Sequence, residues 1–139
     1  MKFRYQRFPF GTYDPRKPLV ARPFVPVYLV GNERRTQSPY FVLLDSGADR
    51  VIFPADLARE VGVARIEAGA LEPAIGIANQ RANVYYHKLA VQVLGDARIL
   101  PLDVGFSRDV LLPLLGRTFF RHFKAIIFNE AKEEVELKI

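Results

Sequence analysis

The feature that most limits how this chain can fold is the stretch Phe41-Val42-Leu43-Leu44-Asp45-Ser46-Gly47-Ala48-Asp49. Four apolar residues run straight into a carboxylate, and a hydroxyl residue and a glycine follow at once. An uninterrupted apolar run reads as a strand buried on both faces. Gly47 then marks a sharp turn where a side chain would clash. Asp45 is thereby held at the lip of a core with little room to move. A charge in that position costs free energy unless it is paired or used. The stretch therefore points to chemistry.

The pattern around it is mainly β. Phe24 to Val30 reads as a strand with Val25, Val27 and Leu29 on one face, and Pro26 suggests a sheet edge. The polar segment from Gly31 to Ser38 connects it to Tyr40–Leu44, making a hairpin that leads into Asp45. Val51 to Phe53 is a short buried strand. Pro54 to Gly62 carries helix punctuation: Pro at the start, Asp56 near the positive end, Gly62 at the stop. Leu57, Ala58 and Val61 share one face of it.

Glu67 to Tyr86 is the least regular part, and Ile75 to Gln80 has the character of a hairpin tip. Lys88 to Leu94 alternates, with Leu89, Val91 and Val93 inward. Ile99 to Leu102 is another apolar strand. Asp103-Val104-Gly105 reads as a strand-end turn and not as a second catalytic motif, because Val104 supplies no hydroxyl. Thr118 to Phe123 is expected to be a short helix and Ala125 to Phe128 a strand. Val135, Leu137 and Ile139 alternate with Glu134, Glu136 and Lys138. The fold class expected is all-β, mainly strands with one or two short helices, over residues 23–139. Residues 1–22 carry Pro9, Pro15 and Pro18 and read as an extended N-terminal arm.

Composition narrows the function. At 139 residues, half of them hydrophobic, the chain can bury a sizeable core. It has no cysteine, which excludes disulfides, thiolate nucleophiles and Cys-type zinc sites. No stretch approaches the length that spans a bilayer, so no membrane partner is expected. Met1 to Arg7 lacks the apolar core of a secretory signal, which makes the cytoplasm the default location. The net charge of +5 comes from 20 basic and 15 acidic residues. It could favour anionic partners.

The basic residues are densest in the arm, between Phe3, Tyr5, Phe8, Phe10 and Tyr13. Such interleaving can bind single strands by stacking and phosphate contact. The favoured reading is an arm that packs its rings on the domain and solvates its charges, so nucleic acid is not the expected partner. His87 and His122 stand far apart without a ligand-spaced carboxylate, so neither metal nor cofactor is expected. Phosphatase-type and nucleotide-binding α/β folds need long helices between strands. They also need a second Asp where Gly47 stands, or a Walker-type Gly-Lys-Ser/Thr, and this chain has neither.

Leu43-Leu44-Asp45-Ser46-Gly47-Ala48-Asp49 resembles the active-site loop of retroviral-type aspartic proteases, the retropepsins. Leu114-Leu115-Gly116-Arg117 resembles that family's second element, an apolar-apolar-Gly-Arg segment that crosses behind the loop and enters a short helix. The order of elements is similar as well, from about Phe24 to Ile139. The resemblance implies an acid-protease single lobe, closed-barrel-like, with Asp45 as the catalytic carboxylate. Ser46, Gly47 and Ala48 would support the loop, and Leu114, Leu115 and Gly116 would form the crossing ψ-loop segment. Asp49 and Arg117 match positions that form an ion pair near a dimer interface. A hairpin tip at Ile75, Gly76 and Ile77 would be the flap that closes over peptide, with fewer glycines than the family usually has.

Peptide hydrolysis by carboxylates needs two of them around one water, one ionised and one protonated. Two such groups share a proton, and their pKa values split. This chain has one Asp-Ser-Gly, so the resemblance implies a homodimer acting on a polypeptide substrate. The competing reading keeps the fold and drops the enzyme. It is a catalytically inactive retropepsin-fold module that binds peptide or nucleic acid.

Overall fold

The apolar run Phe41–Leu44 does form a strand, and it sits inside a closed barrel. The computed structural model describes residues 1–9 and 14–139. Phe10 and Tyr13, two rings of the expected arm, lie outside the described residues. The described residues form ten strands in chain order: β1 (Lys2–Arg4), β2 (Phe24–Val30), β3 (Tyr40–Leu44), β4 (Val51–Pro54), β5 (Ala70–Ile75), β6 (Arg81–Val93), β7 (Leu100–Ser107), β8 (Leu114–Leu115), β9 (Ala125–Asn129) and β10 (Glu134–Lys138). One short α-helix, α1, covers Arg117–Phe120. No helix among the described residues is long and apolar enough to cross a membrane.

Strands β2, β3, β8, β4, β7 and β6 are neighbours in that order, and β2 also pairs with β6. Six strands therefore close on themselves, which removes their edges. β5 lies outside the ring as the second arm of a long hairpin with β6. The expectation of a mainly β fold with few short helices and a closed-barrel lobe holds. Val27, Leu29, Val42, Phe53, Val104 and Phe106 are completely buried within one continuous core.

Pro26 does not mark an edge. β2 is paired on one side with β3 and on the other with β6. Leu44 N donates to Pro23 O at 3.0 Å. Alternate residues of an antiparallel strand turn their N–H the other way, so Pro26 owes β3 no donor. On the β6 side the ladder starts at Val27, and Pro26 contributes only its carbonyl, which accepts from Leu94 N at 2.9 Å.

Asp103 is not a strand-end residue either. It lies within β7, opposite Lys88 of β6, with its carboxylate 3.5 Å from Lys88 Nζ on the exposed face. The segment expected to be irregular is the β5–β6 hairpin, with β6 running 13 residues from Arg81.

The helical segment after β4 covers Ala55–Val61 but winds as a 3₁₀ helix. Leu57, Ala58 and Val61 are its buried residues, and Gly62 ends it at φ 84°. The last helix starts at Arg117 and stays α-helical only to Phe120, with tighter turns continuing to Phe123. Phe119 is fully buried, its ring 5.1 Å from that of Phe123.

Tyr40 at the start of β3 ties the barrel to this 3₁₀ segment by donating its hydroxyl to Glu60 Oε2 at 2.7 Å. The hydrogen bond to Glu60, with burial adding to it, pushes the Tyr40 phenol up to about 12 from 10.0. A raised pKa means the folded chain holds this proton more tightly than the unfolded chain. The resulting stability is present below pH 10 and fades as pH rises toward 12. Tyr40→Phe is expected to cost about 1 kcal/mol near neutral pH. That difference should shrink across the alkaline window in urea unfolding. A penalty constant over the whole range would remove the phenol proton from this link.

The chain ends form a second, three-stranded sheet in the order β1-β10-β9. Lys2 lies opposite Glu136, and the N-terminal ammonium donates to Leu137 O at 2.8 Å. Tyr5 is buried beside this sheet and donates to Glu130 Oε1 at 2.7 Å. Burial and that bond hold its phenol well above the usual tyrosine range. Val135 and Leu137 point into the same core as the barrel residues.

Candidate active site

Asp45 leaves β3 where β8 runs beside it. Leu43 and Leu44 pair in parallel with Leu114 and Leu115, and Asp45 N donates to Leu115 O at 3.0 Å. The turn closes when Ala48 N donates to Asp45 O at 3.2 Å. Gly47 N donates to Asp45 Oδ1 at 2.9 Å. The carboxylate is half-buried, and its second oxygen makes no hydrogen bond among the described residues. Ser46 and Gly47 are exposed, and Ala48 is half-buried.

Gly47 does not take a left-handed backbone conformation. What it supplies is clearance, since a Cβ there would lie 3.2 Å from Asp45 Oδ1. Gly116 is the more constrained glycine. A Cβ on it would lie 2.3 Å from Arg50 O, 2.6 Å from Ala48 O and 2.7 Å from Arg50 N. The crossing segment thus passes behind the Asp45 loop in backbone contact. Arg117 N then donates to Ala48 O at 2.8 Å, and Thr118 N to Asp49 O at 2.9 Å. The loop bearing Asp45 is clamped by β8 and by the first turn of α1.

The fold is a closed β-barrel lobe whose Asp45 loop is braced by a crossing segment.

No protein-family model matches the chain, and no curated protein matches it in sequence. Among solved structures, an EIAV protease complexed with the inhibitor HBY-793 is similar, with a TM-score of 0.49 and 21% sequence identity. That match covers 81% of this chain and 93% of the EIAV protease chain.

In front of the loop lies an open cleft of about 1210 Å³. Asp45, Gly47, Ala48, Asp49 and Leu114 line one side, and the β5–β6 hairpin from Glu72 to Ala82 lines the other. Ile75, Gly76 and Ile77 are all in the cleft wall, with Ile77 95% exposed. Gly76 is extended, and Ala78 and Asn79 make the turn at φ 63° and 58°. A left-handed alanine costs about 1–2 kcal/mol. The two left-handed positions of the tip are therefore filled without glycine.

Asp49 and Arg117 are neighbours, with Arg117 Nη1 3.6 Å from Asp49 Oδ1. This is one long contact, not a bidentate pair. The side chains are 83% and 65% exposed, so within one chain it contributes little to stability. Asp103 does not line the cleft. His87 Nε2 lies 2.8 Å from Ile66 O, and its ring packs on Phe106.

Arg50, Glu72 and Tyr86 are among the cleft residues that the sequence does not single out. Arg50 Nη1 lies 3.1 Å from Glu72 Oε2, and Arg50 Cζ lies 4.0 Å from the centre of the Tyr86 ring. Tyr86 rests over Gly105, where a Cβ would come within 2.8 Å of its ring. Burial pushes the Tyr86 phenol up, against an opposing pull from Arg50. Arg50 could have been flagged by its place directly after the motif. Glu72 and Tyr86 depend on hairpin register, which no local pattern carries.

A half-buried carboxylate with one oxygen fixed by a backbone N–H and the other unbonded suits proton transfer to water. An open cleft faced by a hairpin suits an extended chain.

Proposed function

We infer that the protein is an aspartic endopeptidase that works as a homodimer, with Asp45 from each subunit facing one water across a two-fold axis. The observation that carries this reading is the Asp45 loop itself. Its carboxylate sits at the cleft, held by Gly47 N, in a loop that the Leu114–Arg117 segment braces through backbone contacts. One ionised Asp45 takes a proton from the water while its protonated mate donates to the peptide carbonyl oxygen. The resulting tetrahedral intermediate collapses with the C–N bond broken and a proton delivered to the leaving amine. The two carboxylates share one proton because like charges this close cannot both ionise. Ser46, exposed next to Asp45, would brace the paired loops, and the β5–β6 hairpin would cover the peptide and exclude water.

Pairing of Lys2, Arg7 and Arg16 within the chain favours peptide over nucleic acid as the ligand. Arg7 lies 2.7 Å from Glu133, Lys2 3.6 Å from Glu134, and Arg16 2.9 Å from Asp14. These charges are already matched within the chain.

The test is solution mass over a concentration series, with cleavage of a mixed peptide substrate measured on the same samples. Dimer formation and activity should rise together. A strict monomer at the highest concentration would sink the two-Asp45 mechanism. In the dimer, Arg117→Ala is expected to raise the dissociation constant about tenfold, roughly 1.4 kcal/mol. Its effect on unfolding of the single chain should be under about 0.5 kcal/mol, as for an exposed pair. An unchanged dissociation constant would remove Asp49 and Arg117 from the interface.

A further inference from the structure

Resting on the peptidase reading above, we propose that Arg50 is the specificity-determining residue of this cleft and that it receives an acidic side chain, Asp or Glu, of the bound peptide. Arg50 follows the Asp-Ser-Gly-Ala-Asp motif directly, so it stands in the same cleft wall as Asp45. Its Cζ lies over the Tyr86 ring, 4.0 Å from the ring centre, and Nη1 lies 3.1 Å from Glu72 Oε2. Nε is buried with no hydrogen-bond partner. An arginine carries five N–H donors in a planar fork. Here the guanidinium is held over the Tyr86 ring, and one carboxylate oxygen takes up only part of its donors. A fork held in place with donors to spare is prepared for a second, bidentate carboxylate.

The other charges sharpen the choice. Asp45, Asp49, Glu72 and Asp109 also line the cleft. Asp49 lies beside Arg117, and Asp109 Oδ2 accepts from Asn83 N at 3.2 Å. Away from the arginines that line the cleft, Arg50 and Arg81, these carboxylates repel an acidic peptide side chain. Glu72 is 55% exposed, so it can swing toward water at small cost when a substrate carboxylate arrives. Arg81, paired opposite Ile75 near the hairpin tip, also lines the cleft, whereas Glu72, Val84 and Tyr86 share the hairpin face that packs toward Ile52. Arg50, next to the motif and in contact with Glu72 and Tyr86 of that face, is the guanidinium that joins the motif loop to the hairpin.

The experiment is cleavage of a degenerate peptide library, capped at both ends, by wild type, Arg50→Gln and Arg50→Glu, with product ends sequenced. Wild type is expected to enrich Asp or Glu about tenfold over Asn or Gln at one fixed position from the cut. Arg50→Gln should lose that enrichment, and Arg50→Glu should switch it to Lys or Arg. A purely structural Arg50 would lower turnover on every peptide without changing the ranking. Cuts with no acidic enrichment, or the same enrichment in Arg50→Gln, overturn the proposal and leave the peptidase reading standing. If wild type cuts nothing, the peptidase reading falls, and the same library is passed over immobilised wild type and Arg50→Gln. Retention of acidic peptides by wild type alone then supports the subsite, and equal retention overturns it. Thermal unfolding of Arg50→Gln keeps a folding defect from being mistaken for a loss of specificity.

Discussion

Asp45→Asn is expected to reduce peptide cleavage by at least about 10³-fold while leaving the fold intact. Asparagine has the same shape as aspartate, and its amide oxygen can still accept from Gly47 N, now 2.9 Å from Asp45 Oδ1. Asp45 N also keeps its bond to Leu115 O. Nothing in the loop has to move. What disappears is the chemistry. A neutral amide cannot take a proton from water, and general acid–base catalysis by one positioned group contributes roughly 10²–10⁴-fold. In a homodimer both copies change at once, so the acid is lost with the base. Unfolding free energy should stay within about 0.5 kcal/mol of wild type, as for sites without a buried ion pair. Residual activity within tenfold of wild type would refute Asp45 as the catalytic carboxylate.

Gly116→Ala is expected to have the largest effect on stability of any change around the site. The added methyl would lie 2.3–2.7 Å from three backbone atoms of Ala48 and Arg50. A flexible side chain can swing away from such a contact, but a backbone cannot. Overpacking a core typically costs about 1–3 kcal/mol and occasionally more. Here relief also means separating Arg117 N from Ala48 O and Thr118 N from Asp49 O, now 2.8 and 2.9 Å apart. Each such bond is worth about 1 kcal/mol. We expect a total loss of about 3–5 kcal/mol, a large part of a typical domain's stability. The denaturation midpoint in urea should fall accordingly, with cleavage lost as the Asp45 loop shifts. A loss under about 1 kcal/mol would mean that the crossing segment does not touch the loop.

The two stretches that mattered most were legible because burial writes itself into local composition. Phe24–Val30 and Tyr40–Leu44 are apolar runs bounded by proline, glycine and polar residues, and the strands take those bounds. The Ala55–Val61 segment was legible through Pro54 and Gly62, the latter at φ 84°. The β5–β6 hairpin was harder to see. β5 pairs on one side only and is largely exposed, so its alternation is weak. The hairpin turn at Ala78 and Asn79 uses left-handed residues that are not glycine. Asp103 was misplaced because Pro101 and Gly105, both punctuation by local rules, are accommodated inside β7. Pro101 sits opposite Ala90, and Gly105 makes room for Val84 and Tyr86.

Read alone, the sequence determined the fold class, the strand that delivers Asp45, and the two glycine-bearing segments that meet at it. Apolar periodicity, glycine and proline act within a few residues, so these properties need no knowledge of the distant chain. Only the tertiary structure decided that β2 closes the barrel onto β6, that β1 pairs with β10, and that Glu72 and Tyr86 come to Arg50. Each of these joins residues far apart in sequence. Which strands pair, and in which register, is selected by how well whole side-chain surfaces fit once the chain has closed its loops, and a one-residue slip would turn every contact to the other face.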